Sequence, residues 1–257
     1  EKSAEPTRQE INGWVEERTQ QRIKDLLPQN SLSSKTVSVL VNAAHFLGPW
    51  KTKFDPKYTK NETFKAHETL SFPVPMMQDK EMKASYGKVR DWQALALPFK
   101  GEELSFIAIL PPKENLRDAH LDSSLWGELM ESMRLDDKVD VMLPKFKLET
   151  TIPSADSKAI LTIMGMPSAF LRETANFTRM ARLKEGFFIG DIAHKAFIEV
   201  KEEGAEATAA TAILEDWGRP KVQQPPQSFH ADRPFYWAIV HQPSGAILFM
   251  GRLADPR

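Results

Sequence analysis

The chain has 257 residues, 41% of them hydrophobic and 27% charged, which is enough apolar material for a packed core and argues against disorder. Lys and Arg number 34 against 35 Asp and Glu, so a net charge of −1 leaves no global field to hold nucleic acid or an anionic membrane. Cysteine is absent, which excludes disulfides, thiolate metal sites and a cysteine nucleophile.

Glu1 to Arg8 is polar and reads as a frayed lead-in. Ile11, Trp14, Val15, Ile23, Leu26 and Leu27 then follow a helical stripe that Pro28 ends. Thr36 to Phe46 is β-branched and apolar, as a strand covered on both faces would be, and Gly48-Pro49 stops it. Strand-like runs follow at Thr69 to Met77, Trp92 to Pro98 and Leu104 to Leu110, and long antiparallel sheet is the economical reading. Leu125, Leu129 and Met133 mark a helix, and Ser154 to Met164 another, capped by Gly165.

Between Phe187 and Val200, the residues Ile192, His194, Ala196, Ile198 and Val200 share one face of a half-buried strand. Glu206 to Ala212 is made of small residues after the first, and Gly218 to Ser228 is polar and Pro-rich, so this is the one long internal stretch that looks exposed. Pro234 to Val240, a turn at Gln242-Pro243-Ser244-Gly245 and Ala246 to Met250 form a closing hairpin. No internal repeat occurs, and no Pro/Gly-rich boundary divides the chain, which points to one domain over residues 1–257.

No apolar run has the length of a membrane span, and no basic start leads into an apolar stretch, so neither a membrane nor a nucleic acid is an expected partner. The start at Glu1, without Met, marks a processed chain or a piece of a longer one. An enzyme needs a constellation, and none is present. The chain has no G-x-S-x-G elbow, P-loop, G-x-G-x-x-G or H-E-x-x-H, and its six histidines are scattered with no metal-ligand spacing. No catalytic residue, metal or cofactor is expected. Two sequons, Asn61-Glu62-Thr63 and Asn176-Phe177-Thr178, are candidates for N-glycans and tilt the expected location towards the extracellular space, with the cytoplasm as the alternative.

In order along the chain, several blocks resemble the serpin family of serine protease inhibitors. Ile11-Asn12-Gly13-Trp14-Val15 to Ile23 is similar to the helix crossing the serpin main sheet. Leu40-Val41-Asn42-Ala43-Ala44 with Phe46, Gly48, Trp50 and Phe54 is similar to its central strand. Leu97-Pro98-Phe99-Lys100-Gly101, Leu143-Pro144-Lys145-Phe146, the run Ile192 to Val200 into Glu202-Glu203-Gly204-Ala205-Glu206-Ala207, Phe229 to Phe235, and Gly245 to Gly251 complete a collinear set. The resemblance implies an α+β serpin-like fold of mainly antiparallel sheets, several helices and an exposed reactive loop over about residues 202–228. Serpins carry helices and strands ahead of the crossing helix to which no residues here correspond, so a partial domain is expected.

The resemblance also implies an activity: a monomeric suicide substrate that forms an acyl-enzyme with a serine protease and traps it by inserting its loop into a sheet. The hinge would be Glu202, Glu203, Gly204, Ala205, Glu206, Ala207, Thr208, Ala209, Ala210, Thr211 and Ala212. In an extended arm Ala205, Ala207, Ala209, Thr211 and Ile213 share one face, small or apolar throughout, and no proline occurs from Glu202 to Gly218. Taken alone, the same tract reads equally as a flexible linker, and the flanking blocks favour insertion.

The family's hinge-to-bond spacing, counted from Gly204, falls on Gly218-Arg219. Arg219 and Lys221 suit a trypsin-like target, the favoured one, and Trp217 a chymotrypsin-like one; Pro220 after Arg219 resists cleavage there. Asn42 and His194, joined by a hydrogen bond with His194 buried, together with Trp50 beneath the loop's entry point, would form the region where the sheet opens. The alternative function is a non-inhibitory relative acting as carrier or chaperone.

Overall fold

In a computed structural model, residues 4–33, 36, 38–113, 119–180, 186–205 and 227–257 are described. The elements in chain order are α1 (Ala4–Arg18), β1 (Val39–Phe46), β2 (Gly48–Pro49), β3 (Lys60–His67), β4 (Leu70–Val89), β5 (Trp92–Pro98), β6 (Leu104–Leu110), α2 (Ser123–Ser132), β7 (Arg134–Pro144), β8 (Phe146–Ile152), α3 (Ser154–Ile163), β9 (Asp191–Val200), β10 (Gly204–Ala205), β11 (Gln227–His230), β12 (Phe235–His241) and β13 (Ala246–Leu253). They form two compact units, Glu1–Phe46 with Leu148–Ile198 and Leu47–Lys147 with Glu199–Arg257. Each unit joins two distant stretches of chain, an arrangement that no linker composition would mark.

In the first unit, β1 and β9 pair in parallel from Val39↔Asp191 to Phe46↔Ile198, with β8 on the far side of β9. The polar lead-in is helical from Ala4 on, not frayed. Arg8 and Asn12 are buried, and both side chains hold the backbone of Leu27: Arg8 Nη1 and Asn12 Nδ2 donate to Leu27 O at 2.8 and 2.9 Å, while Leu27 N–H donates to Asn12 Oδ1 at 2.9 Å. The helix stops at Arg18 and does not reach Leu27. Gln20, Gln21 and Asp25 have positive φ, and Thr19 Oγ1 closes the turn by accepting from Ile23 N–H at 3.1 Å.

Ile23 and Leu26 are buried nevertheless, packed with Val15 and Phe197, because the chain doubles back over the sheet. A returning loop buries apolar residues as well as another turn of helix would. Lys195 Nζ donates to Lys24 O at 2.8 Å and fixes that loop. β1 is not covered on both faces: Val41 and Ala43 pack under α1, but Leu40 is exposed. α3 ends as expected at Gly165, which has φ +99°, with Gly165 N–H donating to Thr162 O and Met166 N–H to Leu161 O. That pair of bonds is the Schellman closure, which satisfies two otherwise orphaned carbonyls.

In the second unit an eight-stranded sheet runs β11-β7-β4-β5-β6-β12-β13, with β3 also on β4. All its pairings are antiparallel except β11 with β7. β4 is much longer than the Thr69 to Met77 run suggested, because register shifts between Asp79 and Ala84 bend it from β3 to β5 while β7 follows it. The central β5 and β6 are buried on both faces, as their continuous apolar runs require. Leu125 and Leu129 of α2, whose N-cap Asp122 accepts from Leu125 N–H at 2.8 Å, cover one face through Trp92, Ile107, Ile109 and Ala238. The opposite face is aromatic: Phe106 stacks on Trp237 at 6.1 Å and meets Phe146 and Trp50.

Candidate functional site

That aromatic layer ends at Trp50, which is 3% exposed and stacked on Phe99 with ring centres 4.7 Å apart and planes 9° apart. Above it, β9 delivers the buried Val200 to a turn over residues 201–204, closed by Gly204 N–H donating to Lys201 O at 2.9 Å. Three successive carbonyls of this stem are taken by the segment around Trp50. Trp50 Nε1 donates to Lys201 O at 2.8 Å, Phe54 N–H to Glu202 O at 3.1 Å and Trp50 N–H to Glu203 O at 3.1 Å. β10 then pairs antiparallel with β2, Gly204 opposite Pro49 and Ala205 opposite Gly48.

Gly204 is required twice over. Its φ is +103°, and a Cβ there would overlap Trp50 N and lie 2.5 Å from Gly48 O and 2.8 Å from Pro49 C. All three are backbone atoms of β2 and its extension, so the stem can approach this closely only without a side chain.

Glu202 is 5% exposed, an expensive place for a carboxylate unless it is fully partnered. Oε1 accepts from Thr59 Oγ1 at 2.7 Å, and Oε2 pairs with Lys145 Nζ at 2.9 Å. Burial pushes the carboxyl up, but the Lys145 ammonium and the Thr59 hydroxyl outweigh it and hold the group below its ordinary value of 4.5. A lowered carboxyl stabilises the fold above its unfolded value and stops doing so as pH falls through the folded one. The clamp therefore contributes fully at neutral pH and is lost only below about pH 4.5. Glu202→Gln is expected to cost about 1–2 kcal/mol, at the low end for charged hydrogen bonds because Lys145 is half-exposed. Urea titration at pH 7 and pH 3.5 checks this: the variant's deficit should be full at the first and smaller at the second.

Among the residues expected from sequence, Glu202, Glu203, Gly204 and Ala205 form this stem with Trp50 beneath it. Glu206, Ala207, Thr208, Ala209, Ala210, Thr211 and Ala212, and the bait candidates Trp217, Gly218, Arg219 and Lys221, lie outside the described residues. Asn42 and His194 are in the first unit, opposite each other in the β1–β9 register. The buried hydrogen bond expected between them is absent: Asn42 is exposed, His194 is half-buried, and no hydrogen bond joins their side chains among the described residues. They share the face opposite Val41 and Ala43, the residues that pack against Val15 of α1.

Asn61 and Asn176 are both exposed. Sequence reasoning missed Thr59, and it named Lys145 only as part of a block; a strand-end lysine carries no sign of a carboxylate 57 positions away. Among the described residues, no cluster of His, Asp and Glu could hold a metal ion, and no helix is long and apolar enough to cross a membrane.

Known proteins resemble the chain along nearly its whole length. An uncharacterized serpin-like protein of Thermococcus kodakarensis is 39% identical over 96% of this chain and 56% of its own. Antitrypsin of Bombyx mori is 38% identical over 94% and 61%. The crystal structure of uncleaved ovalbumin superposes with a TM-score of 0.81 at 28% identity, covering 98% of this chain and 63% of that one. The chain thus spans less than two-thirds of the length of each. A family model described as serpin (serine protease inhibitor) matches residues 1–256, and with this fold and this glycine-hinged stem the chain belongs to the serpin family.

Proposed function

We propose that the chain is the loop-bearing part of a serine protease inhibitor that acts as a suicide substrate. The observation that carries the reading is the path of β9. This strand is paired in parallel with β1 over eight residues and runs on, through the clamped turn at Gly204, into the Ala/Thr arm. An arm that turns back from that stem runs antiparallel to β9, and in a slot between β1 and β9 it is antiparallel to both. One parallel ladder is then replaced by two antiparallel ones, which pair somewhat better per residue. The arm's inward face, Ala205, Ala207, Ala209, Thr211 and Ile213, admits it without burying a charge.

The protease serine attacks the bait carbonyl, the peptide bond breaks, and an acyl ester links the two proteins. Insertion then carries the tethered protease away before water reaches the ester, so the inhibitor is consumed and catalyses nothing. Arg219 and Lys221 favour a trypsin-like target, in keeping with the name of the Bombyx mori relative. Incubation with trypsin and with chymotrypsin, resolved on denaturing gels, tests this. A covalent complex at the summed mass less the freed C-terminal fragment, stronger with trypsin, is expected; loop cleavage without any complex would overturn the inhibitory reading in favour of a carrier.

A further inference from the structure

We infer that Asn176 is an N-glycan acceptor and that Asn61, despite the same motif, is not. The inference stands independently of protease inhibition. Asn176 lies in the irregular segment after α3, where the backbone bonds of residues 171–180 are local: Ala175 N–H donates to Leu171 O at 2.9 Å and Met180 N–H to Phe177 O at 2.8 Å. The middle residue of the sequon is anchored, Phe177 meeting Phe187 edge-to-face with ring centres 5.5 Å apart, while Asn176 and Thr178 on either side of it are exposed. Thr178 Oγ1 donates to Asn176 Oδ1 at 2.8 Å, and Thr178 N–H donates to the same oxygen at 3.3 Å. The amide oxygen is engaged by the sequon's own threonine, and Nδ2 has no hydrogen-bond partner among the described residues.

Asn61 is exposed as well, but it lies within a paired strand. It sits inside β3, where Lys60, Glu62 and Phe64 pair with Met76, Val74 and Phe72 of β4, so bending this sequon into a transferase cleft means unzipping β3 from β4. No hydrogen bond joins the Thr63 hydroxyl to Asn61 among the described residues.

The donor is a lipid-pyrophosphate-linked oligosaccharide. The bond from sugar C1 to the pyrophosphate oxygen breaks, the bond from C1 to Asn176 Nδ2 forms, an amide proton passes to a carboxylate base of the transferase, and the lipid pyrophosphate leaves. No redox change occurs. A glycan here would cover apolar surface that is otherwise wet, since Leu171 and Met180 in the same segment are 52% and 74% exposed.

The test is secretion of the 257-residue chain from a glycosylating eukaryotic cell behind a secretory leader, followed by peptide N-glycosidase and mapping of the tryptic peptide 173–179. One glycosidase-sensitive glycan is expected, on that peptide. It should be lost in Asn176→Gln and Thr178→Ala and kept in Thr178→Ser and Asn61→Gln. If a variant fails to be secreted, the peptide map of the unsubstituted chain decides alone. A chain with no glycosidase-sensitive species, or with its glycan on Asn61, would overturn the inference.

Discussion

Gly204→Ala is expected to unseat the loop stem and to destabilise the second unit by about 3 kcal/mol. Two separate costs add. A non-glycine residue in a left-handed backbone costs about 1–2 kcal/mol, and forcing a Cβ against fixed neighbours about 1–3 kcal/mol more. The neighbours here are Gly48 O, Pro49 C and Trp50 N, and these cannot rotate away as a side-chain tip would. Relief requires β10 to leave β2, which also strips Trp50 of its bonds to Lys201 and Glu203. Urea midpoints measure the first effect, and proteolysis within residues 201–205 the second. Ala205→Gly, one position further on, should leave the midpoint nearly unchanged. A Gly204→Ala midpoint within about 0.5 kcal/mol of the parent, the range of innocuous surface changes, would mean that the close approach is not needed.

Under the proposed insertion mechanism, Ala209→Arg is expected to turn the protein from inhibitor to substrate. Position 209 is on the face that must be buried when the arm becomes a strand. An unpaired guanidinium there faces a desolvation penalty of several kcal/mol. Each 1.4 kcal/mol added to the barrier for insertion slows it about tenfold against hydrolysis of the ester, so covalent complex should fall at least tenfold while cleavage continues. Ala210→Arg puts the same charge on the opposite face and should leave complex formation intact. Equal behaviour of the two variants, in either direction, would contradict an alternating inward and outward face.

Much of this was legible from residue patterns, because those patterns act locally. The apolar runs of β5 and β6, the leucine spacing of α2, the Gly165 stop after α3 and the closing hairpin each follow from short-range rules, and each forms close to where it was expected. The failures share a different cause. α1 begins early because Arg8 and Asn12 find their partner at Leu27, and a polar side chain buried by a contact 15 to 19 residues away looks like surface in the sequence. β4 continues past Met77 because β7 and β5 supply its partners, which no local composition announces.

At the site, Gly204 was readable from its own chemistry, whereas the carboxylate clamp was not. Glu202 had no visible partner until the fold brought Thr59 and Lys145 to it. Asn42 and His194 show the converse: the strand register sets them side by side, yet adjacency in a ladder does not by itself make a side-chain hydrogen bond.

The most direct test compares the thermal unfolding of the intact protein with that of a sample cut once between residues 213 and 221. If the freed arm becomes a strand between β1 and β9, new hydrogen bonds along both of its edges add several kcal/mol, and at about 2–4 °C per kcal/mol the cut sample should melt about 10 °C or more above the intact one. Superimposable melting curves, or a lower transition after cutting, would contradict insertion and with it the inhibitory function.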